Sequence, residues 1–142
     1  MLTVTQLRDE PLPWAKPWVK VEQQRRIVIV EDDPDTRTVY EAVLVGAGYE
    51  VLGAGTGEGG VVAIVRTLPD LVITDLRIPD FPGTLVAQTL RGIDQTRDIP
   101  RIAISGEVES FHPDVLRALF HTVLAKPVER TRLVESVAAL IG

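Results

Sequence analysis

Short apolar runs rich in β-branched residues recur along this chain, separated by stretches whose apolar positions fall at helical spacing. Ile27-Val28-Ile29-Val30 and Leu71-Val72-Ile73-Thr74 carry no polar alternation. Such runs read as strands buried on both faces, as in a parallel sheet. Tyr49 to Ala54, Arg101 to Ser105 and Val123 to Lys126 read as three further strands. Between them the pattern predicts helices. One runs from about Pro34, with Asp33 as N-cap and Pro34 in the first turn, puts Val39, Val43 and Gly46 on one face, and stops at Gly46 and Gly48. A second spans Thr56 to Leu68, weakened by Gly57, Gly59 and Gly60 at about 1 kcal/mol for each interior glycine. A third runs from the loop Ile78 to Gly83 to about Ile93, and a short fourth from Pro113 through Phe120. The last, about Thr131 to Leu140, aligns Leu133, Val137 and Leu140. Strands alternating with helices imply βαβ units, an α/β fold and one domain over residues 25–142.

Residues 1–24 break the pattern. They hold both tryptophans, Trp14 and Trp18, and Pro11, Pro13 and Pro17, which predicts an irregular arm. The two tryptophans favour docking of this arm on the domain or on a partner over a free tail. The 142 residues carry a net charge of −5 with no basic block, which argues against nonspecific binding to nucleic acid or an anionic membrane. No cysteine is present, so disulfides and thiolate metal sites are excluded. With no basic segment leading an apolar run at the N-terminus and no apolar stretch near the ~18 residues of a bilayer span, the expectation is a cytoplasmic protein without a membrane anchor.

Charge changes the picture at three strand ends. The first run leads into Glu31-Asp32-Asp33, the third into Asp75, and the fifth into Lys126-Pro127. Ligands of open parallel sheets bind beyond the carboxyl ends of the strands. If these strands are neighbours, several carboxylates and one ammonium share an edge. Two unit charges ~4 Å apart cost about 4 kcal/mol at an effective dielectric of 20. Either a carboxyl holds a proton or a cation neutralises the group. All-oxygen ligands favour magnesium over zinc. Taken alone, Asp32-Asp33 reads as a helix cap, Ser105 as a strand-end turn residue and Lys126 as a solvated lysine; the second acidic strand end changes that weighting. His112 and His121 have no metal-ligand spacing and read as surface or helix-end residues.

Val30-Glu31-Asp32-Asp33-Pro34, Pro69-Asp70-Leu71-Val72-Ile73-Thr74-Asp75-Leu76-Arg77-Ile78-Pro79 with Gly83, Ile104-Ser105-Gly106 and Lys126-Pro127 resemble the receiver domain (CheY-like) of bacterial response regulators. The resemblance runs from about Arg25 to Leu140, with its motifs in order at predicted strand ends. It implies a flavodoxin-like (βα)5 doubly wound parallel sheet of order 2-1-3-4-5. It implies Asp75 as phosphoryl acceptor from a phosphohistidine, and Mg²⁺ held by Asp32 and Asp75, by Glu31 through water and by the main-chain carbonyl of Arg77. Ser105 and the Gly106 N–H would contact phosphoryl oxygens, Lys126 would pair with another, and the bond before Pro127 would be cis. The implied partners are a histidine kinase or phosphotransfer domain and an unidentified downstream protein, with no nucleic acid. The implied output surface is the helix 4–strand 5–helix 5 face, which also offers a route to a homodimer.

The chain departs from the family in places. Val123 stands where receivers often carry the aromatic that reports phosphorylation, and Val128 where a Phe usually follows Lys-Pro. Arg117-Ala118-Leu119-Phe120-His121 replaces the usual Gly-Ala before strand five, so a shifted or misshapen fourth helix is expected. Arg77 and Glu107, two past the acceptor and two past the hydroxyl, occupy positions that tune dephosphorylation in the family. Their opposite charges imply a bridge that hinders water and a slowly decaying phosphoryl state. The reading is a stand-alone receiver, not an enzyme beyond Mg²⁺-assisted self-phosphotransfer and autodephosphorylation. The alternatives are a phosphorylation-independent receiver-like module and a Mg²⁺-dependent phosphohydrolase. The haloacid-dehalogenase type of hydrolase needs a second Asp where this chain has Arg77.

Overall fold

A computed structural model describes residues 24–142 of the chain. The arm with its two tryptophans, and with it the expectation that it docks, lies outside the described residues apart from Gln24. Five strands, β1 (Arg26–Val30), β2 (Glu50–Ala54), β3 (Leu71–Asp75), β4 (Arg101–Ser105) and β5 (Thr122–Ala125), alternate with five α-helices. These are α1 (Pro34–Gly46), α2 (Gly57–Thr67), α3 (Gly83–Arg91), α4 (Pro113–Leu119) and α5 (Arg130–Ile141). The sheet is parallel in the order β2-β1-β3-β4-β5, the doubly wound arrangement implied by the resemblance.

Alternate strand residues serve opposite faces. Ile27, Ile29, Leu71, Ile73, Ile102 and Ile104 pack under Tyr40 and Leu44 of α1 and Leu133 and Val137 of α5. Val28, Val30 and Val72 pack under Ile64 of α2 and Val86 and Leu90 of α3. A third cluster joins Leu76, Ala87 and Ala103 to Leu116, Leu119 and Phe120 around α4. Each such large side chain gains roughly 1.5–3 kcal/mol from burial. Burial on both faces explains why β3 and β4 are uninterruptedly buried.

α1 differs from the sequence expectation. Its buried residues are Tyr40 and Leu44, while Val39 is 58% exposed and Gly46 lies on the surface. Positions 39/43 and 40/44 are both apolar pairs at helical spacing, so periodicity could not choose between them. The α2 glycines also carry a different meaning. A Cβ on Gly60 would lie 2.5 Å from Val30 Cγ2, and one on Gly57 2.3 Å from the Phe81 carbonyl oxygen. They permit close contact with β1 and with the loop after β3. α4 is short, starting at the expected Pro113 and ending at Leu119, and follows a single 3₁₀ turn at Val108–Ser110. The buried Arg101 guanidinium donates to the carbonyls of Leu119, Ile99 and Arg97, fastening the end of α4 to the sheet.

Register levels the strand ends. Val30 pairs with Thr74, Asp75 with Ile104 and Ser105 with Ala125. The residues at or just past these ends therefore meet at one edge. The edge is clamped by Gly83, where a Cβ would fall 2.1 Å from the Asp75 carbonyl oxygen and 2.9 Å from Leu76 Cα. Because that neighbour is backbone, Gly83→Ala is expected to lower stability by about 1–3 kcal/mol. Gly46→Ala, with nothing within 4 Å, is expected to be neutral or to stabilise by about 0.5–1 kcal/mol. Urea midpoints of the two variants check this contrast.

Candidate functional site

Each side chain at this edge is delivered by a strand end. β1 hands over to Glu31 and Asp32, and then Asp33, whose carboxylate accepts from the Thr36 N–H at 3.0 Å and caps α1. The Asp33 carboxyl is lowered by its bonds to Thr36. Asp75 is the last residue of β3, and Lys126 follows β5. Lys126 Nζ donates to Asp75 Oδ2 at 2.6 Å, past β4, and to Glu31 Oε1 at 2.9 Å, past β4 and β3. Oxygens of Glu31, Asp32 and Asp75 lie within 4.8 Å of one another. Glu31 and Asp75 are buried and Asp32 faces solvent.

Electrostatics divides the two buried carboxyls. Burial, helped by hydrogen bonding to Asp75, pushes Glu31 up to about 7 against the pull of Lys126. For Asp75, burial also raises, but hydrogen bonds from Glu31, Lys126 and the Arg77 N–H outweigh it and hold the carboxyl below its ordinary value. Burial of Lys126 is likewise outweighed by its two carboxylate partners, so its ammonium is held more firmly than usual. The edge thus presents an ionised Asp75, a fixed ammonium and a Glu31 on the verge of ionisation near neutrality. Glu31 Oε2 is buried with no hydrogen-bond partner. An orphaned carboxylate oxygen beside two more carboxylates is a donor set that fits a hard divalent cation such as Mg²⁺.

The remaining expected residues fall around this core. Ser105 ends β4, fully buried, and its Oγ accepts from the Glu107 N–H at 3.0 Å. Gly106 lies beside Lys126, its open side 4.0 Å from Lys126 Cβ. The Lys126-Pro127 bond is cis. The Arg77 N–H donates to Asp75 Oδ1 at 2.9 Å, while its guanidinium reaches Glu107 Oε2 at 3.0 Å. Val123 is half-buried against the α4 cluster. Neither histidine joins the edge: His112 Nδ1 caps α4 through the Asp114 N–H, and His121 Nδ1 accepts from the Arg101 N–H.

Three residues that position the site had no sequence signal. Arg37 Nη1 donates to the Glu31 carbonyl at 2.8 Å, fixing the start of the acidic loop from α1. Asp80 accepts from the Gly57 and Glu58 N–H groups, tying the loop after β3 to the N-terminus of α2, and these bonds lower its carboxyl. Phe111 lies under the Arg77 guanidinium, 5.0 Å from Cζ to ring centroid. Asp80 and Phe111 meet partners distant in sequence, and Arg37 bonds a main-chain carbonyl six residues back, which no side-chain pattern signals.

The family model described as the response regulator receiver domain matches residues 27–138. An uncharacterised 14.6 kDa protein of Leptolyngbya boryana is 30% identical over 115 residues, covering 80% of this chain and 88% of that protein. The DNA-binding dual master transcriptional regulator RpaA of Synechocystis is 38% identical over 80 residues, 56% of this chain, which spans only 33% of that regulator. Among solved structures, the receiver domain of the sensor histidine kinase PA1611 of Pseudomonas aeruginosa, with a magnesium ion coordinated in its active-site cleft, is 30% identical. It superposes with a TM-score of 0.76 over 84% of this chain and 99% of that one. Among the described residues of this chain, no helix is long and apolar enough to cross a membrane.

Replacing Lys126 by methionine leaves two buried carboxyls facing each other without their cation. Losing one partner of a buried ion pair costs 3–5 kcal/mol, and the partial exposure of this ammonium reduces the expected loss to about 2 kcal/mol. Thermal denaturation of Lys126→Met at pH 8 in EDTA measures it, and added Mg²⁺ is expected to recover part of the loss.

Proposed function

The chain belongs to the response regulator receiver family, and on that premise we propose that Asp75 is its phosphoryl acceptor. The observation that carries this assignment is the double hydrogen bond of Lys126 to Glu31 and Asp75, which keeps a buried carboxylate ionised beside a fixed cation. Receivers are signalling modules rather than enzymes with a released product, so the reaction of interest is one transfer per signal. An Asp75 oxygen attacks the phosphorus of a phosphohistidine on a histidine kinase or phosphotransfer domain. The P–N bond breaks, its electron pair leaves with the imidazole, which takes up a proton, and an acyl phosphate remains on Asp75.

Such a transfer needs in-line positioning and neutralisation of the three equatorial oxygens. Lys126, already 2.6 Å from Asp75, turns towards one of them. The Ser105 hydroxyl donates to another, with the Gly106 N–H beside it. Asp32 and Asp75 directly, Glu31 through water and the Arg77 carbonyl would hold Mg²⁺, which when bound supplies positive charge to the transferring group. The Arg77 side chain, ion-paired with Glu107 before transfer, stays beside the acceptor afterwards and obstructs attacking water, giving a long-lived phosphoryl state. Output passes through protein–protein contacts on the α4–β5–α5 face, to a downstream partner or a second copy of the chain.

The test is intact mass after incubation with acetyl phosphate and Mg²⁺. Wild type is expected to gain one phosphoryl group and Asp75→Asn none. Followed after removal of acetyl phosphate, the adduct on Arg77→Ala is expected to decay several-fold faster. No adduct in the wild type despite demonstrated Mg²⁺ binding would favour a module that works without phosphorylation. Multiple-turnover phosphate release without adduct would favour a hydrolase.

A further inference from the structure

Arg77 connects the acceptor strand to a segment on the other side of the site. Its backbone N–H is on Asp75 Oδ1, its guanidinium is on Glu107, and the same guanidinium covers the face of Phe111. Glu107 and Phe111 bracket the 3₁₀ turn Val108–Ser110, which is closed by bonds from the Ser110 N–H to the Glu107 carbonyl and from the Phe111 N–H to the Val108 carbonyl. Besides the Arg77 ion pair, the start of the turn is anchored by the Glu107 N–H on Ser105 Oγ. Phe111 is half-buried, packed with Val108 and Val123 against Leu116, Leu119 and Phe120. One side chain from the loop after the acceptor therefore holds down the segment leading into α4.

We propose that Arg77 and Phe111 form a phosphoryl-operated latch, with Phe111 as the aromatic group that reports the state of Asp75 at the surface. This rests on Asp75 being the acceptor. Arg77 and Glu107 side chains are each about 60% exposed, and a lone ion pair that exposed is weakly held. A phosphoryl group on Asp75 brings up to two negative charges and three strong acceptor oxygens beside Arg77. Arginine matches a phosphate in two-point geometry better than it matches an aromatic face. The guanidinium then leaves Phe111 and Glu107 for the phosphoryl oxygens. Phe111 loses its cover, and the 107–111 segment loses one of its two ties to the sheet edge. The readout that Val123 is unable to give, having no ring, moves to Phe111 on the adjoining segment. A partner that discriminates the two states would place an apolar group against Phe111.

The chain has three phenylalanines, so uniform 4-fluorophenylalanine labelling gives three ¹⁹F resonances, with Phe111 assigned through Phe111→Leu. Beryllofluoride with Mg²⁺ serves as the phosphoryl mimic, and its bound fluorines report occupancy in the same spectrum. With the bound signal present, the Phe111 resonance is expected to shift and its H₂O/D₂O solvent effect to grow, while Phe120 stays in place. Arg77→Ala is expected to show the shifted Phe111 resonance without beryllofluoride. A bound signal with Phe111 unmoved overturns the latch and leaves the acceptor assignment standing. A Phe111 resonance unchanged by Arg77→Ala also overturns it. Absence of any bound signal in wild type overturns the acceptor assignment and the latch together.

Discussion

The ammonium of Lys126, held between Glu31 and Asp75, is the contact on which the rest of this structure depends. It reaches Glu31, 95 positions away and two strands over, and Asp75, 51 positions away and one strand over. Without it, two buried carboxyls would face each other at the cost of several kcal/mol. With it, the group still carries one carboxyl more than its single cation can neutralise, even before the exposed Asp32 is counted. Burial first, and the neighbouring Asp75 after it, raise Glu31 to about 7. The surplus makes the edge receptive to a further cation and to the redistribution of charge that accompanies phosphoryl transfer.

Holding such a cluster demands rigidity on every side. The parallel register brings the ends of β1 and β3 level, and Lys126, two residues past the Leu124 that shares the level of Asp75, reaches back to the same edge. The loops that continue from them are then pinned by backbone contacts. Arg37 holds the carbonyl of Glu31, Asp80 fastens the loop after β3 to the N-terminus of α2, and Gly83 packs against the carbonyl of Asp75. The segment after β4 has a different character. It is tied by one hydroxyl and one exposed arginine, and it leads into the shortest α-helix of the fold. Backbone ties concentrate around the carboxyls, and side-chain ties hold the segment after β4.

The strands were legible because buried parallel strands need unbroken apolar, β-branched runs, and few other elements have that pattern. Strand ends with charges were legible for the same reason, and the motifs at those ends carried the resemblance that supplied the strand order. The buried face of α1 was not legible, since 39/43 and 40/44 are equally apolar and only the docking angle selects Tyr40 and Leu44. Glycines in α2 read as weakness, but their purpose is steric and depends on Val30 and Phe81, which lie elsewhere in the chain. Arg37, Asp80 and Phe111 look like ordinary surface or core residues until the fold supplies their partners. The loss of an aromatic at Val123 was visible in the sequence; the arginine covering Phe111 was not.

The most direct measurement is a pH titration of the Glu31 side-chain carboxyl by ¹³C NMR, without and with Mg²⁺. Its folded value is raised above the unfolded 4.5, so the folded state binds the proton more tightly. The cost of burying Glu31 is therefore absent at pH well below 4.5, grows as pH rises from there towards 7, and is constant above it. In EDTA the midpoint is expected near 7, and Mg²⁺ is expected to lower it by displacing the proton, an effect removed by Asp32→Asn. A midpoint in the ordinary carboxylate range, indifferent to Mg²⁺, would contradict the view that Glu31, Asp75 and Lys126 share one charge.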